Sequence, residues 1–301
     1  EIGHPRHLEF TKHFMRDLVR NQVASLIDFG EYYGAYMITK DFREMRLING
    51  LLEFCNLRKH FLFEDAIKRI DNFGKKAPAC LEKYKNRQVE DNEFLKKFNT
   101  DSFTVFKILE KFHLAEFYFL IENYTEFILS FQVFFETIVT QYLNCMYKIN
   151  LEKKYQEDGN KLIHSLKINN RNKYTEFLLK IGKKSEDKLS LSFPVLALIA
   201  LAKAEEEKLD EVLAIIKILE KINSMLNGSG GGIGLDCVRN KIAHEGLGAK
   251  ITDLYCSSTE KNPRNKREPW QNYMTTIKSN MGLDLDHNPY IELNSLIKSL
   301  P

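Results

Sequence analysis

The chain has 301 residues, 44% of them hydrophobic and 12% aromatic, enough apolar material for a sizeable core and too much for a disordered tail. Its 44 basic and 41 acidic residues leave a net charge of +3, so no general field argues for nucleic-acid binding and any basic site must be local. Cys55, Cys80, Cys145, Cys237 and Cys256 are odd in number, widely spaced and without a C-x-x-C pair, which disfavours a disulfide framework and a zinc centre and fits a reducing cytoplasm. The most apolar stretch, 117–135, is interrupted by Glu122, Glu126 and Gln132 and falls short of the roughly 18 uncharged residues of a membrane span. The chain opens Glu1-Ile2-Gly3-His4 with neither an initiator Met nor a charged-then-apolar leader, so the expectation is a piece of a longer protein without a signal peptide.

Apolar residues recur at helical spacing almost throughout, as with Met15, Val19, Val23 and Ile27 early in the chain and Phe131, Phe134, Phe135, Ile138 and Tyr142 later. Alternating strand patterns are scarce. The seven prolines lie mostly at segment edges, and the pattern predicts helices over 7–28, 30–38, 41–72, 102–121, 124–148, 151–166, 173–182, 194–207, 209–226, 236–245, 270–281 and 289–299. The expected fold class is therefore all-α, a helical bundle. Residues 75–99, rich in Lys and Asn, lose the apolar periodicity and mark a seam near residue 95, between an N-terminal helical unit (1–95) and a larger C-terminal domain (96–301).

Gly228, Gly230, Gly231, Gly232 and Gly234 make 228–234 a glycine-rich loop. It lacks the Lys-Ser/Thr of a phosphate-binding P-loop and follows no strand, so it reads as a linker, native or introduced. After it, Asp236 is a good N-cap, which sets Arg239 and Asn240 in the first turn of a short helix and His244 in the second, before Gly246 ends it. Asn240 and His244 are four apart and share a face; Arg239 reaches the same cleft from the side, while Val238 and Ile242 turn towards the core.

These residue types suit cleavage of RNA by its own 2′-hydroxyl. Histidine moves protons near neutral pH, and arginine holds phosphate oxygens in two-point contact while staying charged. Asn240 would orient the imidazole or the phosphate. No cofactor or metal is expected, since no carboxylate or Cys/His cluster with ligand spacing stands elsewhere in the chain. With 12 arginines and eight histidines in 301 residues, about 0.3 Arg-x4-His matches arise by accident, and requiring Asn after the Arg lowers this to roughly 0.02. Read from the residues alone, an ion-paired Arg239 and a buried core His244 account for the string equally well.

Arg239-Asn240-Lys241-Ile242-Ala243-His244 resembles the R-N-x-x-A-H form of the R-x(4–6)-H motif of HEPN ribonucleases. Over most of its length the chain is similar to the Csm-associated ribonuclease of type III-A CRISPR systems. Residues 15–27 resemble the helix that follows the sensor domain in that family, and 131–142 its first long HEPN helix. The resemblance implies a metal-independent endoribonuclease acting on single-stranded RNA in antiviral defence, working as a homodimer with both motifs in one cleft, and leaving 2′,3′-cyclic phosphate and 5′-hydroxyl ends. In that family a CARF sensor binds cyclic oligoadenylate and switches the nuclease on. No run of short strands precedes residue 7, so sensing is expected upstream of this chain or not at all. The glycine-rich loop before the motif is a further departure, one that bears on how the catalytic helix is held. A HEPN toxin answering to an antitoxin, and a non-catalytic helical binding module, are the rival readings.

Other patterns carry less. Arg6 and His13 meet the loose R-x(4–6)-H spacing without the Asn, and Arg20-Asn21, Arg171-Asn172 and Arg264-Asn265 lack the His. Lys241 beside the motif, and Arg264, Lys266, Arg267 and Trp270 in a following loop, are candidate RNA contacts, with Trp270 stacking a base; a solvated loop with Trp270 in the core is the plainer reading. Lys12, Arg16 and Arg20 form a stripe on the first helix that reads as solvated. The phenylalanines of 112–135 read as core or dimer-seam aromatics.

Overall fold

The computed structural model describes residues 5–73, 102–147 and 267–300, with isolated positions between them. Among the described residues the structure is all-α: α1 (Pro5–Asp28), α2 (Tyr32–Thr39), α3 (Arg46–Lys59), α4 (Phe63–Asp71), α5 (Ser102–Leu120), α6 (Tyr124–Tyr147), α7 (Arg267–Asn280) and α8 (Pro289–Ser299), with one 3₁₀ turn, Arg43–Met45, leading into α3. None of these helices is long and apolar enough to cross a membrane.

Apolar spacing locates most of these helices to within a few residues, but the helix expected over 41–72 is two, α3 and α4, after a 3₁₀ turn. The break follows from how α3 ends. Leu62 N–H donates to the Leu57 carbonyl (2.9 Å) and Phe61 N–H to that of Arg58 (3.0 Å), a Schellman pair that puts Phe61 in the left-handed region at φ 60°. Helix α5 closes the same way, with Asn123 N–H on Tyr118 O (2.9 Å), Glu122 N–H on Phe119 O (3.2 Å) and Glu122 at φ 61°. Helices α1 and α7 use the same motif with glycine at that position, Gly30 and Gly282.

The chain divides into two compact units: Glu1–Asp91, Ser102–Phe131 and Asp286–Pro301 in the first, Asn92–Asp101 and Gln132–Leu285 in the second. Helices α5 and α8 belong with the N-terminal helices in the first unit. The core of the first unit runs through Val23, Ile27, Leu51, Leu52, Phe54, Phe63, Ala66, Phe106, Leu293 and Ile297, so each contributing helix buries one apolar face. Helix α6 begins in the first unit, where Phe127 and Phe131 are buried, and ends in the second, where Phe135, Val139 and Leu143 are. In the second unit α7 buries Trp270, Met274 and Ile277, one face at spacings of three and four, and Met281 just past its end continues it.

Gly50, inside α3, is there for closeness: a Cβ would lie 2.4 Å from the Phe73 ring. Gly50→Ala should destabilise the protein by about 1–3 kcal/mol through overpacking. With Phe73→Ala in the background the same change should stabilise it by about 1 kcal/mol, the ordinary helix preference of Ala over Gly. Chemical denaturation of the four-protein cycle checks both signs.

Candidate functional site

The polar interior of the first unit centres on Arg58 of α3. Its Nε donates to Glu110 Oε2 at 2.6 Å and its Nη2 to Oε1 at 2.9 Å, a two-point pair with side chains 2% and 5% exposed. The guanidinium lies 3.8 Å from the centre of the Tyr290 ring of α8, and the ring's other neighbour is Phe117, stacked at 5.7 Å and 23°. Tyr290 donates its hydroxyl to Glu110 Oε2 at 3.4 Å. Burial pushes the phenols of Tyr32, Tyr118 and Tyr290 well above their ordinary range, so they act as neutral groups.

A second set anchors the start of α8. The Asn288 side chain caps the helix by accepting from Tyr290 N–H (2.9 Å) and Ile291 N–H (3.4 Å), with Pro289 in the first turn. Its Nδ2 donates to the His113 carbonyl at 3.0 Å and to Glu116 Oε2 at 2.8 Å, fastening α8 to α5. His113 Nδ1 stands 3.8 Å from Glu116 Oε2, beyond hydrogen-bond reach, and has no hydrogen-bond partner. Further along α8, Asn294 accepts from the Tyr32 hydroxyl (2.9 Å) and donates to the Ile27 carbonyl (3.0 Å), satisfying an end group of α1. These groups hold helices together. Because they join α3, α5, α8 and α1 at matched polar points, the arrangement serves as a frame. Sequence reasoning missed it, because the members are scattered over 262 positions and carry no motif spacing.

Arg239, Asn240, Lys241 and His244, and the basic residues Arg264 and Lys266, lie outside the described residues. Arg267 opens α7. Trp270 is fully buried, with Tyr273 edge-on at 6.3 Å and 84°, and its spacing to Met274 and Ile277 sets it on the inward face of α7. The stripe on α1 is corrected at Arg20, which is half-buried rather than solvated. No group of three or more His, Cys, Asp or Glu side chains among the described residues is arranged to hold a metal ion.

No family model matches the chain. No curated protein matches it either. A solved structure does: Enterococcus italicus Csm6 bound to cyclic hexa-2′-fluoro-hexa-dAMP superposes with a TM-score of 0.50 at 18% identity. The likeness is one of fold. It takes in 96% of this chain, which spans 58% of the length of that one.

The frame yields a stability test. Arg58→Met leaves Glu110 buried without its cation and should cost about 3–5 kcal/mol, whereas Arg58→Met with Glu110→Leu should recover most of the loss, since an apolar pair of similar volume removes both desolvation costs. Urea unfolding of both proteins checks this, and an undiminished single variant would show the pair to be dispensable.

Proposed function

We propose that the chain carries the nuclease centre of a CRISPR-associated HEPN endoribonuclease that cuts single-stranded RNA, with Arg239, Asn240 and His244 as the reacting set. The observation that carries this reading is the string Arg239-Asn240-Lys241-Ile242-Ala243-His244, on a chain whose fold resembles that of Csm6. Residues 96–301 would form the HEPN domain.

In this reading His244 takes the proton of the ribose 2′-hydroxyl as the oxygen attacks the adjacent phosphorus. Arg239 balances the charge on the equatorial oxygens, and the 5′-oxygen leaves with a proton delivered by an acid, giving a 2′,3′-cyclic phosphate and a 5′-hydroxyl. No metal enters, because the substrate supplies the nucleophile. Lys241, Arg264, Lys266 and Arg267 would guide the RNA strand. Cyclic oligoadenylate sensing, a property of the whole protein in the family the sequence resembles, would reside in a CARF domain. The setting would be the cytoplasm.

His244→Ala should lower cleavage by at least 10²-fold, the usual contribution of a general acid–base group, with folding intact by circular dichroism. Arg239→Lys should fail as well, since a point charge does not reproduce two-point phosphate contact. Cleavage should persist in excess EDTA, and end-group analysis of the products should give the cyclic phosphate. Wild-type rates in His244→Ala, or EDTA inhibition reversed by magnesium, would overturn the assignment.

One motif supplies one proton-transfer group, while the reaction moves protons at both the attacking and the leaving oxygen. Two copies about a two-fold axis would complete the inventory. Sedimentation should therefore give a mass near twice 35.2 kDa. In mixed dimers a single His244→Ala subunit should impair the joint centre, and full activity from a monomer would defeat the two-copy model.

A further inference from the structure

Helix α1, the turn before α3 and the end of α8 enclose a cavity of about 240 Å³ in the first unit. Its walls are mostly apolar, with Val23, Ile27, Ile48 and Ile297 among them, and Arg20, Asn21 and Lys298 supply polar groups. The two cations differ. Lys298 is already paired, its Nζ 2.5 Å from Asp28 Oδ1. Arg20 Nε and Nη2 are closed to solvent and have no hydrogen-bond partner.

Two guanidinium nitrogens that have lost water without gaining an acceptor cost free energy, and such groups in a folded protein call for a partner. Arg69 shows the contrast within the same unit: its Nε also lacks a partner, but its Nη2 lies 2.6 Å from Glu53 Oε2, so its charge is met. Among the described residues no such carboxylate meets Arg20.

We propose that this cavity binds a small amphipathic anion, a single carboxylate head on a short apolar body, with the head on Arg20 and the body against Val23, Ile27, Ile48 and Ile297. Three features define the class. The volume is below the roughly 300–1,000 Å³ of pockets for drug-sized ligands, so the body is short. Seven of the ten lining residues are apolar, so a strongly hydrated ion such as acetate or phosphate gains little by entering. One cation is unmet and the Asp28 carboxylate is held beside the other, so a monoanion is favoured over a multiply charged strand, whose extra phosphates would find no partner. Turned towards the cavity, Arg20 Nε and Nη2 would meet the head in a two-point charged pair. Arg20-Asn21 attracts notice in the sequence as half of a nuclease motif; its place in the fold gives the arginine a different use.

The test is calorimetric titration of the full chain with octanoate, with 1-octanol and acetate as controls. Octanoate should bind saturably, one per chain, and at least tenfold more tightly than either control. Arg20→Met should weaken octanoate binding at least tenfold and, by removing an unmet charge, raise the melting temperature of the ligand-free protein. Ala24→Leu, which fills the cavity and keeps Arg20, should also lose octanoate. Binding of octanol as tight as that of octanoate, unchanged octanoate affinity in Arg20→Met, or a lower melting temperature of that variant would each overturn the proposal. So would failure of octanoate to bind the wild type.

Discussion

The buried pair between Arg58 and Glu110 is the constraint on which the first unit depends. Removing both charges from water is expensive, and their attraction repays the cost only when the geometry is good and the remaining groups are satisfied. Both conditions are met by residues distant in sequence: a two-point contact, an aromatic ring over the guanidinium and a hydroxyl on the carboxylate. The pair therefore contributes little to net stability compared with an apolar substitute and much to the choice of neighbours. Apolar faces tolerate sliding by a turn, but Arg58, Glu110 and Tyr290 meet in only one register of α3, α5 and α8.

The same logic explains why α8, the last helix described, is held by asparagines. Asn288 and Asn294 each use both ends of the amide, one to cap or accept and one to donate to a carbonyl or carboxylate on α5 or α1. An amide at either point demands a matched acceptor and donor, so a shifted helix leaves buried polar groups unmet at a cost of about 1–3 kcal/mol each. Helices from opposite ends of the chain are fixed together in this way, which is why the compact unit cuts across the sequence.

Helix positions were legible because periodicity is a local property, as in Val19, Val23 and Ile27 of α1 or Phe131, Phe135 and Tyr142 of α6. The break between α3 and α4 was not. Its C-terminal signal rests on Phe61 in a conformation that glycine usually marks, and no glycine stands there; Glu122 does the same at the end of α5. The burial of Arg58, Glu110, His113 and Glu116 was equally hidden, since charge in a sequence reads as surface until the partner is known. Trp270 was readable and was drawn two ways: its basic neighbours suggest RNA, while its spacing to Met274, Ile277 and Met281 marks a buried face. Spacing prevailed, because a long apolar stripe gains more from burial than one ring gains from an intermittent ligand.

The proposed nuclease motif differs from the frame in kind, and that difference decides what each demands of the chain. A frame distributes its groups over many helices and is invisible in any short window. A reacting set of one arginine, one asparagine and one histidine within six consecutive residues can be read from one short window. A nearly neutral chain offers RNA no long-range attraction, so on this reading capture and chemistry both fall to the same few groups. Such a centre tolerates little misplacement, since a shift of about 1 Å in a reacting group can cost 10²-fold in rate. A helix carrying it therefore needs neighbours that cannot slide, and registers fixed by matched polar partners, as Arg58, Asn288 and Asn294 fix theirs, meet that requirement better than apolar packing alone.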